Sequence, residues 1–284
     1  MNKFYYPLVL LFTLCAGACS KQIQRKNILT VTIEPQRYFA ERLVDTLFSV
    51  TSMVAPGINP ETYDPAPAQI AQLAHSKAYF GIGPIGFENA WLDNLKKNNP
   101  GLPFFDNSRG IDWIVAENDD SYKHRHPDPH IWTSPKGAAI IARNMYEALS
   151  AIDPDNEPVY RNNLEGLLKE IDETAKTIQS YLDNSVQKAF IIYHPALTYF
   201  ARDYGLTQYA MELDGKEPAP GQLKKLVDLA KEKNITTIFI QQEFDQKNVA
   251  LMARETGCRL ITINPLSYNW SEEIIRIAKS LSDE

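Results

Sequence analysis

Residues 156–182 read NEPVYRNNLEGLLKEIDETAKTIQSYL, and the fold turns on them. Leu164, Leu168, Ile171, Ala175, Ile178 and Leu182 recur at alternating steps of four and three, which lays one apolar seam along a helical face. Glu165, Lys169, Glu170, Asp172 and Lys176 fall on the remaining surface. Pro158 lies near the start, where a missing N–H costs nothing, and Asp155 or Asn156 is placed to cap the first turn. At about 1.5 Å per residue the helix spans roughly 40 Å, close to the width of a small domain. A coiled coil would need at least about three heptads with regular charge pairing beside the seam, and the stretch supplies neither. The expected element is a single strut joining the two halves of the chain.

Strand and helix signals alternate on both sides of the strut. Before it, strands are expected at 28–33, 49–54, 78–82 and 103–105, with helices at 35–47, from 67, at 88–97 and at 136–149. A long irregular stretch covers 106–135. After it come strands at 188–193, 207–213, 236–240 and 259–263, with helices at 196–204, 222–233, 247–255 and 272–281. The expected fold is α/β: two lobes, each a mostly parallel sheet flanked by helices, joined by one long rigid helix. The divisions are a 19–153 lobe, a 154–185 linking helix and a 186–284 lobe. With 284 residues, 44% of them hydrophobic, the chain is long enough to bury real cores.

The first eighteen residues stand apart from the fold. Lys3 precedes an apolar run, Tyr5 to Leu14, that is too short to span a bilayer, and Ala16-Gly17-Ala18 lead into Cys19. The pattern is that of a bacterial lipoprotein signal (1–18) cut before Cys19, whose thiol then carries lipid outside the cytoplasm. The competing reading is an ordinary secretory signal with an incidental cysteine; Cys15 would put Leu14 at the cleavage position. With Cys19 lipidated, only Cys258 remains, so no intramolecular disulfide forms, and its apolar surroundings make Cys258 an inert buried thiol. The net charge of −6, with no basic stripe, argues against nucleic acid and suits a protein that handles cations.

Ligands of open parallel sheets bind beyond the carboxyl ends of the strands. That rule selects Glu61, in the loop leaving the second strand, His194, directly after Tyr193, and Asn264, directly after Ile263. Each adjoins a proline (Pro60, Pro195, Pro265), which stiffens the loop. His130 lies in a loop bracketed by Pro127, Pro129 and Pro135. Two imidazoles and a carboxylate make a divalent-metal set in which nitrogen ligands favour Zn²⁺. Glu61 and His130 precede the strut and His194 comes after it, so such an ion would lie between the lobes. Taken singly, a loop histidine is more often a surface group, and His75 is assigned no role. Tyr63, Trp132, Tyr193 and Trp270 are expected mostly in the core, some of them shielding the ion.

The segments Pro56-Gly57-Ile58-Asn59-Pro60-Glu61-Thr62-Tyr63-Asp64-Pro65, Asp128-Pro129-His130-Ile131-Trp132-Thr133-Ser134-Pro135, Tyr193-His194-Pro195-Ala196 with Tyr204-Gly205-Leu206, and Asn264-Pro265-Leu266 share one order and spacing with a known family. They resemble the zinc/manganese substrate-binding proteins of bacterial ABC transporters, the ZnuA-like group, over nearly the whole mature chain. The resemblance implies a metal held in the cleft between two α/β lobes and delivered by an often lipid-anchored protein to a membrane permease. It matches His130 and His194 to two histidine ligands, sets Glu61 where a third histidine is usual, and sets Asn264 where an aspartate is usual. Gln241 replaces a common glutamate. The ligand set expected on this basis is Glu61, His130 and His194, with Asn264 or water completing the shell. The His- and acid-rich loop of the zinc branch corresponds to 118–126, which keeps only His124 and His126 and is read as a solvated loop.

The function expected is capture of a divalent transition metal, Zn²⁺ first and Mn²⁺ or Fe²⁺ as alternatives, by a monomer that hands it to an ABC importer. A metalloenzyme with a two-His-one-carboxylate set competes, but no His-Glu-x-x-His helix or Gly-x-Ser-x-Gly elbow occurs. A siderophore-, haem- or cobalamin-binding protein shares the two-lobe plan and would need a wide cleft.

Overall fold

Two four-stranded sheets, parallel throughout, are built from strands with the same spatial order. The computed structural model describes residues 27–115, 127–212 and 218–282. The expected signal segment 1–18, Cys19, His124, His126 and Leu213 lie outside the described residues. The first sheet holds β1 (Ile28–Val31), β2 (Ser49–Ser52), β3 (Ser76–Gly81) and β4 (Phe104–Asp106) in the order β2-β1-β3-β4. The second holds β5 (Ala189–Ile192), β6 (Thr207–Ala210), β7 (Thr237–Gln241) and β8 (Arg259–Ile263) in the order β6-β5-β7-β8. In each sheet the order reverses beside the first strand, between β1 and β3 and between β5 and β7, and such switch points open a crevice at the carboxyl ends.

The helices are α1 (Glu34–Val44), α2 (Pro67–Leu73), α3 (Gly86–Asn98), α4 (Pro135–Ile152), α5 (Glu157–Asp183), α6 (Thr198–Asp203), α7 (Pro220–Glu232), α8 (Lys247–Thr256) and α9 (Trp270–Leu281). The strut is α5, and two details differ from expectation. Asn156 occupies the N-cap position but makes no capping bond; its Nδ2 donates to Asp153 Oδ2 at 2.9 Å, the carboxylate that also receives the Tyr160 hydroxyl. A 3₁₀ turn, Pro154–Asn156, leads into the helix instead. The buried face runs through Tyr160, Leu164, Leu167, Ile171, Thr174, Ile178 and Leu182, with Leu168 and Ala175 only half-buried. The seam is rotated because α5 is packed by α4 and α1 and also by α9. Thr174 joins it by hydrogen bonding Ser271 Oγ at 2.6 Å.

One hydrophobic core unites the two sheets. It runs from Leu29, Val31 and Phe39 through Leu164, Ile171 and Ile178 of the strut to Ile192, Phe239 and Ile263. A smaller cluster containing Ile191, Ile238, Val249, Met252 and Cys258 packs against the second sheet. Cys258 is buried and its Sγ donates to Ile235 O at 3.0 Å, as expected of an inert thiol. Trp270, on the first turn of α9, fastens the two halves. It is fully buried, meets Phe39 edge-on at 5.2 Å and donates from Nε1 to Trp132 O at 2.6 Å. Trp132 in turn donates to Pro265 O at 2.9 Å. Trp270→Ala is therefore expected to lower unfolding free energy by about 3–5 kcal/mol in urea denaturation of the metal-free chain, and a loss under about 1 kcal/mol would contradict this role.

Candidate metal centre

Glu61 reaches the seam on the loop between β2 and α2. Asn59 Oδ1 accepts the Glu61 backbone N–H at 2.9 Å, and Phe87 N–H donates to Pro60 O at 2.8 Å, so the loop is pinned to the start of α3. Glu61 Oε2 accepts from Gly86 N–H at 2.9 Å, where the positive end of the helix dipole favours a carboxylate. A Cβ on Gly86 would lie 2.6 Å from Glu61 O, so only glycine permits this approach. The other oxygen, Oε1, is buried and has no hydrogen-bond partner among the described residues. A buried, unpartnered carboxylate oxygen is costly unless something positive meets it.

His130 stands at the N-terminal edge of the 3₁₀ turn Ile131–Thr133. Asp128 Oδ1 lies 2.9 Å from both the backbone N and Nδ1 of His130. The loop is clamped from the other half of the chain by Tyr199, whose hydroxyl donates to Asp128 O at 2.9 Å. Ser134 then caps α4 by accepting from Lys136 and Gly137 N–H. Gly137 lies so close to Ile131 O that a Cβ would sit 1.9 Å from it.

His194 comes directly after β5. Glu212, beyond the end of β6, places Oε2 3.0 Å from His194 Nδ1. Gln241, the last residue of β7, accepts from His194 N–H at 3.4 Å and donates to His194 O at 2.6 Å. Gln241 therefore uses both ends of its amide to hold the His194 backbone. The Phe244 ring stacks on the imidazole at 5.6 Å and 24°.

The two imidazoles meet edge to face with their Nε2 atoms 3.2 Å apart. A carboxylate accepts but does not donate, so Asp128 and Glu212 each require a proton on the adjacent Nδ1. In its neutral form each ring then directs an Nε2 lone pair into the cavity. The ligand atoms of Glu61, His130 and His194 all lie within 4.8 Å of one another. They enclose a cavity of about 20 Å³, also lined by Trp132, Gln241, Glu243 and Leu266. A space of that size admits one water-sized occupant.

Electrostatics reflect this crowding. Burial works against the charged form of His130, but the Asp128 carboxylate, with Glu61 and Glu243 facing it, outweighs burial and holds its pKa above the ordinary histidine value. Burial likewise works to raise Asp128, and the His130 imidazole overrides it, so Asp128 titrates below the usual carboxylate range. Glu243 is pushed up by burial, against the pull of His194 and His130.

The residues expected from sequence divide into those that converge and those that do not. Glu61, His130 and His194 converge. Asn264 comes after β8, and its neighbours Pro265 and Leu266 line the cavity, but Asn264 does not; its Oδ1 is buried without a partner among the described residues. Of the four aromatic residues, Trp132 lines the cavity, and His75 is exposed beyond the end of α2. Sequence reasoning assigns no role to Asp128, Glu212, Gly86 or Glu243. The strand-end rule applied to β6 points to Glu212, and an acid two residues before a loop histidine is the signal for Asp128.

Known proteins share this plan. A family model described as "Zinc-uptake complex component A periplasmic" (ZnuA) matches residues 29–277. The zinc-binding lipoprotein AdcA of Streptococcus pneumoniae strain R6 is 25% identical over 288 residues, covering 94% of this chain and 56% of AdcA. The chain thus spans little more than half of that relative. The high-affinity zinc uptake system protein ZnuA of Bacillus subtilis strain 168 is 25% identical over 90% of this chain and 83% of its own length. The manganese ABC transporter substrate-binding lipoprotein PsaA of Streptococcus mitis is 27% identical over 72% of this chain and 69% of its own. A crystal structure of ZnuA superposes with a TM-score of 0.83 at 36% identity, over 90% of this chain and 97% of that one. A zinc-bound deletion mutant of ZnuA gives 0.84 at 35% identity, over 91% and 99%. From residue 29 to residue 277, this chain belongs to the ZnuA family of periplasmic zinc-uptake components.

Proposed function

We propose that this protein captures one divalent transition-metal cation, Zn²⁺ in preference to Mn²⁺ or Fe²⁺, between Glu61, His130 and His194 and delivers it to the permease of an ABC importer. The observation that carries this reading is the 3.2 Å approach of two Nε2 atoms whose Nδ1 partners are carboxylates. A cation coordinated by both nitrogens takes the place of any proton between them, and Glu61 Oε1 supplies the unpaired oxygen beside them. Two imidazole nitrogens and a carboxylate suit Zn²⁺, whereas the oxygen donor in place of a third nitrogen is the feature that would admit Mn²⁺.

Transport without chemistry accords with the cavity. About 20 Å³ accommodates an ion and no organic substrate, siderophore or haem. Among the described residues no helix is long and apolar enough to cross a membrane. Attachment is assigned to a lipid on Cys19 after removal of 1–18, outside the cytoplasm, in keeping with relatives named as lipoproteins. The core shared by both sheets opposes a wide hinge motion, so loading proceeds with small local adjustment in a monomer.

Competitive titration tests the ligand assignment. Glu61→Gln keeps the shape and the Gly86 contact but removes the charge, and is expected to weaken zinc binding at least about tenfold; unchanged affinity would refute the assignment. Proton competition gives a second test. His130 must lose its proton to bind, and its pKa is held above the ordinary value of about 6.5, so affinity should fall as pH drops through the range beginning above that value. A zinc affinity that stays flat from about pH 7.5 to about pH 5.5 would contradict it.

A further inference from the structure

Glu61, His130 and His194 offer three donors, whereas protein-bound zinc usually takes four ligands. The fourth position could fall to Asn264, to water or to another side chain on the cavity wall. Asn264 is off that wall, and Gln241 is occupied at both ends by the His194 backbone. Glu243 lines the cavity and carries the one wall carboxylate besides Glu61. It sits in the turn between β7 and α8 and is half-buried. Among the described residues its carboxylate has no side-chain hydrogen bond and no ion pair; it accepts from its own backbone amide and faces the two imidazoles.

The backbone on either side of Glu243 is fixed relative to His194. Gln242 N–H donates to Ile263 O at 3.1 Å, and Phe244 N–H donates to Gln241 O at 3.2 Å. Phe244 is wedged against His194 and, at 5.0 Å, against Tyr193. With the backbone so held, any reorientation of Glu243 is confined to its side chain, and its carboxylate is not among the three donors that lie within 4.8 Å of one another. We propose that Glu243 rotates inward once the cation has met Glu61, His130 and His194, and becomes the fourth protein ligand in place of Asn264 or water. This step rests on the three-donor site and adds to it a carboxylate that closes over the ion from the solvent side. Swinging it out again opens the exit, so it would govern release as well as affinity.

The full-length chain in detergent, with Zn²⁺ for affinity and Co²⁺ as the spectroscopic probe, separates the possibilities. Glu243→Gln should still bind one equivalent of metal and unfold at the parent's midpoint when metal-free. It should lose at least about tenfold in zinc affinity, release zinc faster to a chelator, and show an altered Co²⁺ ligand-field spectrum as water replaces the carboxylate. A Glu243→Gln chain with the parent's affinity and spectrum overturns the fourth ligand while leaving the trio intact. If the parent fails to take up one equivalent of zinc, or Glu61→Gln binds as tightly as the parent, the trio itself falls and the proposal with it.

Discussion

Two imidazole Nε2 atoms held 3.2 Å apart are the constraint on which the rest of the site depends. Neutral imidazoles do not choose that approach; they are held to it. Asp128 accepts a hydrogen bond from Nδ1 of one ring and Glu212 from Nδ1 of the other, which fixes both tautomers and leaves both Nε2 atoms directed into the cavity. Hydrogen bonds to a charged acceptor are roughly twice as strong as neutral ones, so neither ring turns away cheaply. Glu61, anchored by one oxygen and bare at the other, completes the same pattern. The site is arranged for a positive charge that the protein itself does not contribute.

Such an arrangement needs a stiff frame. The rings belong to opposite halves of the chain, and the strut alone would leave them free to separate. Separation is opposed by a core that passes through the strut without a break, and by the chain of contacts Pro265–Trp132–Trp270–Phe39 that crosses between the sheets beside the cavity. Tyr199 reaching from α6 to the carbonyl of Asp128 adds a polar tie at the His130 loop. Small side-chain movements, rather than domain rotation, are the motions this packing leaves available.

Much of this is legible in the sequence because its signals are local. Alternating strand and helix patterns point to two parallel sheets, and the rule that ligands gather beyond strand ends singles out Glu61, His194 and Asn264 without any geometry. The rotated face of α5 is not legible: Thr174 rather than Ala175 is buried because α9, about a hundred residues later, supplies Ser271 as its partner. Long-range pairings of this kind leave no periodic trace. The same rule selects Asn264, but a position beyond a strand end does not say which way a side chain turns; its two neighbours line the cavity and it does not. Gly86 is invisible for a related reason, since its importance lies in the absence of an atom near a loop from elsewhere in the sequence. Glu243 lies past the end of β7, just beyond the position to which the resemblance draws attention.

Anomalous diffraction from zinc-loaded crystals, recorded on either side of the zinc absorption edge, locates the ion relative to Glu61 and the two imidazoles. One strong peak is expected within about 2.0–2.2 Å of a Glu61 oxygen and of both Nε2 atoms, in a protein whose two sheets keep the arrangement described above. A peak elsewhere, or an ion bound with Glu61 turned away from the two imidazoles, would contradict the ligand assignment.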